Sequence, residues 1–284
     1  MSKVAFISDI HGNIEALDAV LDDLTIKGVD RIICLGDIAS YNADQDRCME
    51  RIHESHIDWI AGNHDLMAAG ILSPLSCSES AFYSATKSRK SLKPKWRDII
   101  QSLPLMITND LFCAFHATPE NITEYLTREK RLFRTIEIIK TQKLPNIAFF
   151  GHTHQSLVTT LQDGRLVKFT EDYITLDAEA ISLVNVGTVG EQRGEDKSAN
   201  YTIFDTGTLE IFNHKVPYNH AISLRKSIDN KFRLDQNSKI SVIINKFRQK
   251  FLFIRHRFFP RNIDDPSLPG IIKRSSNEVS RSII

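Results

Sequence analysis

KVAFISDIHGN, residues 3–13, decides how the rest of the chain is read. Residues 4–7 are an apolar run of the length of a buried strand. The run stops on Asp9 and His11, two side chains able to coordinate a cation. Four other apolar runs stop in the same way. RIICL is followed by Gly36 and Asp37, IDWIA by Gly62, Asn63, His64 and Asp65, LFCAF by His116, and NIAFF by Gly151, His152, Thr153 and His154. Ligand sites in open α/β sheets lie beyond the carboxyl ends of the strands. These residues, distant in sequence, are therefore expected to meet at one edge.

Helical patterns lie between several of the runs. Ile14, Leu17, Val20, Leu21 and Leu24 recur at three- and four-residue spacing, with Asn13 placed to cap the helix and Gly28 to stop it. Cys48, Met49 and Ile52 mark a second helix, and Leu132, Phe133, Ile136 and Ile139 a third. Strand–helix–strand alternation argues for parallel β-α-β units. After Gly151 the helical patterns give way to strand-like segments at 156–161, 165–170, 181–186, 201–204 and 209–212, with hairpin signals at Asp163-Gly164 and Thr206-Gly207. A run of strands without helices predicts a second sheet packed against the first. The expected class is α/β: a four-layer α/β/β/α sandwich with two central mixed β-sheets and a metal site at the strand C-terminal ends. It spans 1–220, and a basic extension, partly helical and of open function, follows over 221–284.

The chain has 284 residues, 42% hydrophobic and 25% charged, as an ordinary globular protein has. Its net charge of +1 conceals an asymmetry. Residues 221–284 hold 14 Lys/Arg against 5 Asp/Glu, while 1–220 hold 22 against 30. Ile244, Phe247, Phe251 and Ile254 are interleaved there with Lys246, Arg248, Lys250, Arg255 and Arg257. This reads as a helix packed on the acidic body, or as a surface for a protein partner or an anionic membrane. Nucleic acid is the weaker reading and requires salt-dependent binding. Cys34, Cys48, Cys77 and Cys113 form no C-x-x-C pair and read as buried reduced thiols. The N-terminus opens on a strand pattern rather than a secretory signal, and no apolar run approaches the roughly 18 residues of a membrane span. The cytoplasm is the expected compartment.

Two Asp, one Asn and several His at one edge are too many coordinating groups for an apolar pocket. A bound cation removes the cost of burying them. Imidazole with carboxylate suits Mn, Fe, Zn or similar divalent ions. The count exceeds one tetrahedral site and fits two ions sharing a carboxylate. Asp-x-His and Gly-Asp alone are common; GNHD and GHTH in this order are much more specific.

With SDIHGN, LGDIASYNAD, AGNHD, FHATPENITEYL, GHTH, NVGTVGEQRGED and NYTIFD, the chain resembles the calcineurin-like metallophosphoesterases, and within them the bacterial and archaeal predicted phosphodiesterases. The likeness covers roughly residues 1–225, with KVPYNHA similar to the closing segment. Ala117 stands where the family often has Gly. Asn185, Val186, Gly187, Thr188, Val189 and Gly190 stand where it usually has Asn-Pro-Gly-Ser-Val-Gly. The resemblance implies two divalent ions, Mn, Fe, Zn or Ni, with Mn the first to test for activity. It places one on Asp9, His11, Asp37 and His154 and the other on Asp37, Asn63, His116 and His152, with Asp37 bridging.

The implied chemistry is hydrolysis of a small phosphodiester or phosphomonoester by a hydroxide bridging the ions, with His64 as general acid. Asp65 either orients His64 or caps a helix. Arg193 and the backbone around Thr188 read as phosphate contacts or as a solvated turn, and Tyr41 and Asn42 as cleft lining. Phosphoanhydrides such as dinucleoside polyphosphates, phosphorylated proteins and a non-catalytic scaffold role are the alternatives.

Overall fold

The computed structural model describes residues 2–233, so the apolar and basic positions assigned over 240–259 lie outside the described residues. In chain order the elements are β1 (Lys3–Ile7), α1 (Ile14–Lys27), β2 (Arg31–Cys34), α2 (Gln45–Glu54), β3 (Asp58–Trp59), α3 (Asn63–Ala69), α4 (Glu79–Ser91), α5 (Pro94–Ser102), β4 (Met106–Thr108), β5 (Phe112–Phe115), α6 (Glu129–Thr141), β6 (Ile147–Phe150), β7 (Ser156–Gln162), β8 (Arg165–Phe169), β9 (Tyr173–Thr175), β10 (Ser182–Val186), β11 (Ala199–Asp205), β12 (Glu210–Val216) and α7 (His220–Asp229). Among them no helix is long and apolar enough to cross a membrane.

The strands build two six-stranded sheets, ordered β3-β2-β1-β11-β12-β9 and β4-β5-β6-β10-β7-β8. Each has a parallel centre, β1–β3 in one and β5, β6 and β10 in the other, continued by antiparallel strands. The four-layer α/β/β/α class is what the sequence predicts, but the assignment of sheets to chain halves is not. Strands after Gly151 do not form a sheet of their own: β11, β12 and β9 extend the first sheet from β1, and β10, β7 and β8 extend the second from β6. The edges left open by the parallel centres carry unpaired backbone groups, and the later hairpins satisfy them.

Side-chain alternation explains why the strands are apolar on both faces. In β1, Ala5 and Ile7 join the cluster under α1, α2 and α5, built on Leu17, Val20, Met49 and Trp96, while Val4 and Phe6 face the other sheet. In β6, Ala148 and Phe150 pack under α6 with Leu132, Ile136 and Ile139, while Ile147 and Phe149 face inward. Asn13 caps α1 by accepting the Ala16 N–H, and Gly28 ends it at φ 62°.

Phe6 of one sheet and Phe149 of the other stack with centroids 3.8 Å apart, and Phe112 and Phe204 close around them. Phe149→Ala should therefore destabilise the protein by about 3–5 kcal/mol. Chemical denaturation of the purified variant checks this; a loss below about 1 kcal/mol would show that the intersheet layer collapses around the gap.

Candidate functional site

The C-terminal ends of the parallel strands in both sheets open onto one edge. Asp9 and His11 follow β1, Asp37 follows β2, and Asn63, His64 and Asp65 form the first turn of α3 behind β3. His116 follows β5, and His152 and His154 follow β6. All nine are buried, none more than 8% exposed.

They fall into two groups whose donor atoms lie within 4.8 Å of one another: Asp9, His11 and His154, and Asp37, His116 and His152. Asp37 Oδ2 is 3.3 Å from His116 Nε2 and 3.8 Å from His11 Nε2, and so reaches both groups. Asn63 Oδ1 joins the second group, 2.9 Å from His116 Nε2.

Second contacts set the imidazole tautomers. Nδ1 of His11 donates to the Ala39 carbonyl at 2.9 Å, that of His116 to Leu35 at 2.8 Å, and that of His154 to Glu191 at 2.6 Å. Each arrangement leaves an Nε2 lone pair facing inward. The Nε2 atoms of His11 and His154 are only 3.3 Å apart, which without a cation sets two lone pairs against each other. Asp9 Oδ1 and His152 Nε2 are buried with no hydrogen-bond partner. The donor set therefore fits divalent ions.

Burial by itself would raise the Asp9 and Asp37 carboxyls. Neighbouring imidazoles, led by His154 for Asp9 and His116 for Asp37, outweigh it and hold both below the usual carboxylate range. Burial, foremost, pushes His152 down to about 3, helped by His116. Burial likewise pushes His64 down to about 3, against the attraction of Asp37.

The local backbone is unusual. Asp9, His11, Asp37, His152 and His154 have φ between 50° and 64°, the left-handed region that non-glycine residues seldom enter. Cross-bracing holds them there. Asp9 N–H donates to the Gly36 carbonyl, His11 N–H to the Asp37 carbonyl, His152 N–H to Asp9 Oδ2 and His64 N–H to Asp37 Oδ1. Such close approach needs glycine at two places: a Cβ on Gly62 would lie 2.1 Å from Asp37 Oδ1, and one on Gly151 2.1 Å from Ser8 Oγ.

Some expected roles change. Asp65 occupies the third position of α3, and its carboxylate accepts the N–H groups of Asp37, Ile38, Ala39 and Gly62. It braces the Asp37 loop rather than orienting His64. Thr188 is not placed for a phosphate: its hydroxyl donates to the Asp9 carbonyl and accepts the Glu191 N–H. The amides of Val189 and Gly190 are bonded to the carbonyls of Ser8 and Asp9. Asn42 is buried and donates to the His11 carbonyl.

Tyr41 stays at the site, its ring 4.7 Å from that of His11 and 4.9 Å from that of His64. Arg193 is exposed, its guanidinium 5.6 Å from the centroid of Tyr125. Tyr125 was not singled out from the sequence, yet its ring lies 4.1 Å from that of His152 and its hydroxyl accepts from Arg193. The available signal was an aromatic residue in the loop after the His116 strand.

Residues 2–209 match the family profile described as the calcineurin-like phosphoesterase superfamily domain. An uncharacterized protein of Methanocaldococcus jannaschii is 32% identical over 239 residues, covering 81% of this chain and 93% of that protein. A metallophosphoesterase from Sphaerobacter thermophilus superposes with TM-score 0.70 at 26% identity, over 81% of this chain and 94% of that one. A hypothetical protein from Pyrococcus horikoshii shares the fold, with TM-score 0.66 at 16% identity over 86% and 97% of the two chains.

Because Asp37 stands between both donor groups, Asp37→Asn should lower the content of both metals in reconstituted protein while the far-ultraviolet spectrum is unchanged. Elemental analysis after gel filtration checks this; two ions retained at full occupancy would remove Asp37 from the shared position.

Proposed function

Since the chain belongs to the calcineurin-like phosphoesterase superfamily, we propose that it hydrolyses small phosphodiesters or phosphomonoesters with two divalent ions, Mn²⁺ foremost, at the edge lined by Asp9, Asp37 and His154. The observation that supports this most directly is Asp37 Oδ2 within 3.8 Å of an imidazole from each donor group. When bound, the ions supply Lewis acidity toward the phosphoryl group and lower the pKa of water.

The chain's own residues do the rest. Asp9, His11, Asp37 and His154 would hold one ion, and Asp37, Asn63, His116 and His152 the other. The rings of Tyr41 and Tyr125 pack against the imidazoles of His11, His64 and His152. Arg193 projects above Tyr125 with donors to spare for phosphoryl oxygens.

His64 delivers the proton to the leaving oxygen. Its Nδ1 has no protein partner, and its backbone N–H is fixed on Asp37 beside the reacting centre. Burial favours the neutral ring, so this role requires His64 to take up a proton when the anionic phosphoester binds.

Chelated protein should not hydrolyse bis-aryl or mono-aryl phosphates, and added Mn²⁺ should restore turnover. Full activity in protein verified as metal-free would overturn the reading.

His64→Ala should lower turnover of an alkyl phosphoester by roughly 10²–10⁴-fold with metal content nearly unchanged. The loss should shrink with nitrophenyl leaving groups, which need no proton. A uniform loss across the leaving-group series would remove His64 from proton transfer.

A further inference from the structure

After β12 the chain turns back over the ligand loops. Tyr218 accepts from Asn13 Nδ2 at 3.1 Å and donates to Gln192 Oε1 at 2.9 Å. On α7, Lys226 pairs with Glu15 and with Asp44, and Ser227 Oγ lies 2.8 Å from Asn42 Oδ1. Phe232 is buried beneath Lys87. Arg233 then reaches two loops at once: its Nη2 donates to the Glu191 carboxylate and, at 3.3 Å, to Asn42 Oδ1.

Both partners touch a candidate ligand of the same group. Asn42 donates from its backbone N–H and from Nδ2 to the His11 carbonyl, at 3.0 and 2.9 Å. The Glu191 carbonyl accepts Nδ1 of His154 at 2.6 Å. The His11 loop follows the first sheet and the Glu191 loop follows the second. One guanidinium therefore spans the two loops that fix His11 and His154. Of the second group, His116 is held by the Leu35 carbonyl and His152 by the backbone at Thr123, neither of which Arg233 contacts.

We propose that Arg233 is a positioning residue for the Asp9, His11 and His154 group, locking the separation of its two imidazoles through Asn42 and Glu191. The proposal rests on the reading of this group as a metal site. Partners behind metal ligands typically contribute 10–100-fold to metal affinity, and a Nε2–Nε2 gap of 3.3 Å leaves little room for one loop to drift.

The test uses the full chain, stripped of metal and titrated with Mn²⁺ by calorimetry, with bound metal counted independently. In Arg233→Gln, one of two Mn²⁺ sites should weaken by about 10–100-fold while the other stays within a few-fold. Arg233→Lys, able to hold only one partner well, should fall between. Affinities at both sites unchanged from wild type, or a parallel fall at both with a lowered melting temperature, would overturn site-selective positioning.

Hydrogen exchange of the metal-free protein separates this from the metal reading. The Asn42 amide should exchange about tenfold faster in Arg233→Gln. An unchanged rate would overturn the proposal, whereas faster exchange in Arg233→Gln together with no Mn²⁺ binding by the wild-type protein would sink only the metal assignment.

Discussion

The carboxylate of Asp37 is the point through which the two sheets are joined at their working edge. One oxygen receives the His64 N–H at the start of α3; the other lies near imidazoles that follow β1 and β5. A negative charge so deeply buried is tolerated only among positive or donating neighbours. The rest of the site follows from that requirement. Asp65 anchors the backbone that carries Asp37, and Gly62 lets that backbone come within reach. The imidazoles turn their Nε2 atoms inward because carbonyl groups hold the opposite nitrogens.

The sandwich makes this convergence possible. Three parallel strands in each sheet end on the same side, and the intersheet layer of Phe6, Phe149, Phe112 and Phe204 sets their distance. Rigid packing of this kind resists gradual deformation, so the ligand-bearing loops inherit a fixed spacing. Tyr41, Tyr125 and Arg193, the side chains proposed to face substrate, sit instead on loops over this frame, where sequence variation is better tolerated than in the strands.

Much of this was legible in the sequence because short apolar strands stop abruptly on coordinating residues. The seven candidate ligands, α1 with both caps, and the four-layer class were all readable. What escaped has physical causes. The helix α4 buries Ala81, Ser84, Ala85 and Ser88, a face of small residues that leaves no apolar periodicity. Most strands after Gly151 were legible, but β9 was missed, β11 and β12 run longer than expected, and strand patterns do not say which sheet receives a hairpin. Thr188 and Asp65 had the chemistry of site residues, yet neighbouring backbone groups claimed their oxygens, and only three-dimensional contacts reveal that. Tyr125 belongs to a loop, where no period singles out one aromatic from another.

The left-handed backbone at Asp9, His11, Asp37, His152 and His154 has a consequence for the order of events in the life of the molecule. A short peptide carrying any one of these motifs would mostly avoid that conformation. Only the assembled sheets, with their crossed backbone bonds, make it the resting state. The placement of these five side chains thus depends on the completed fold and not on their local sequence.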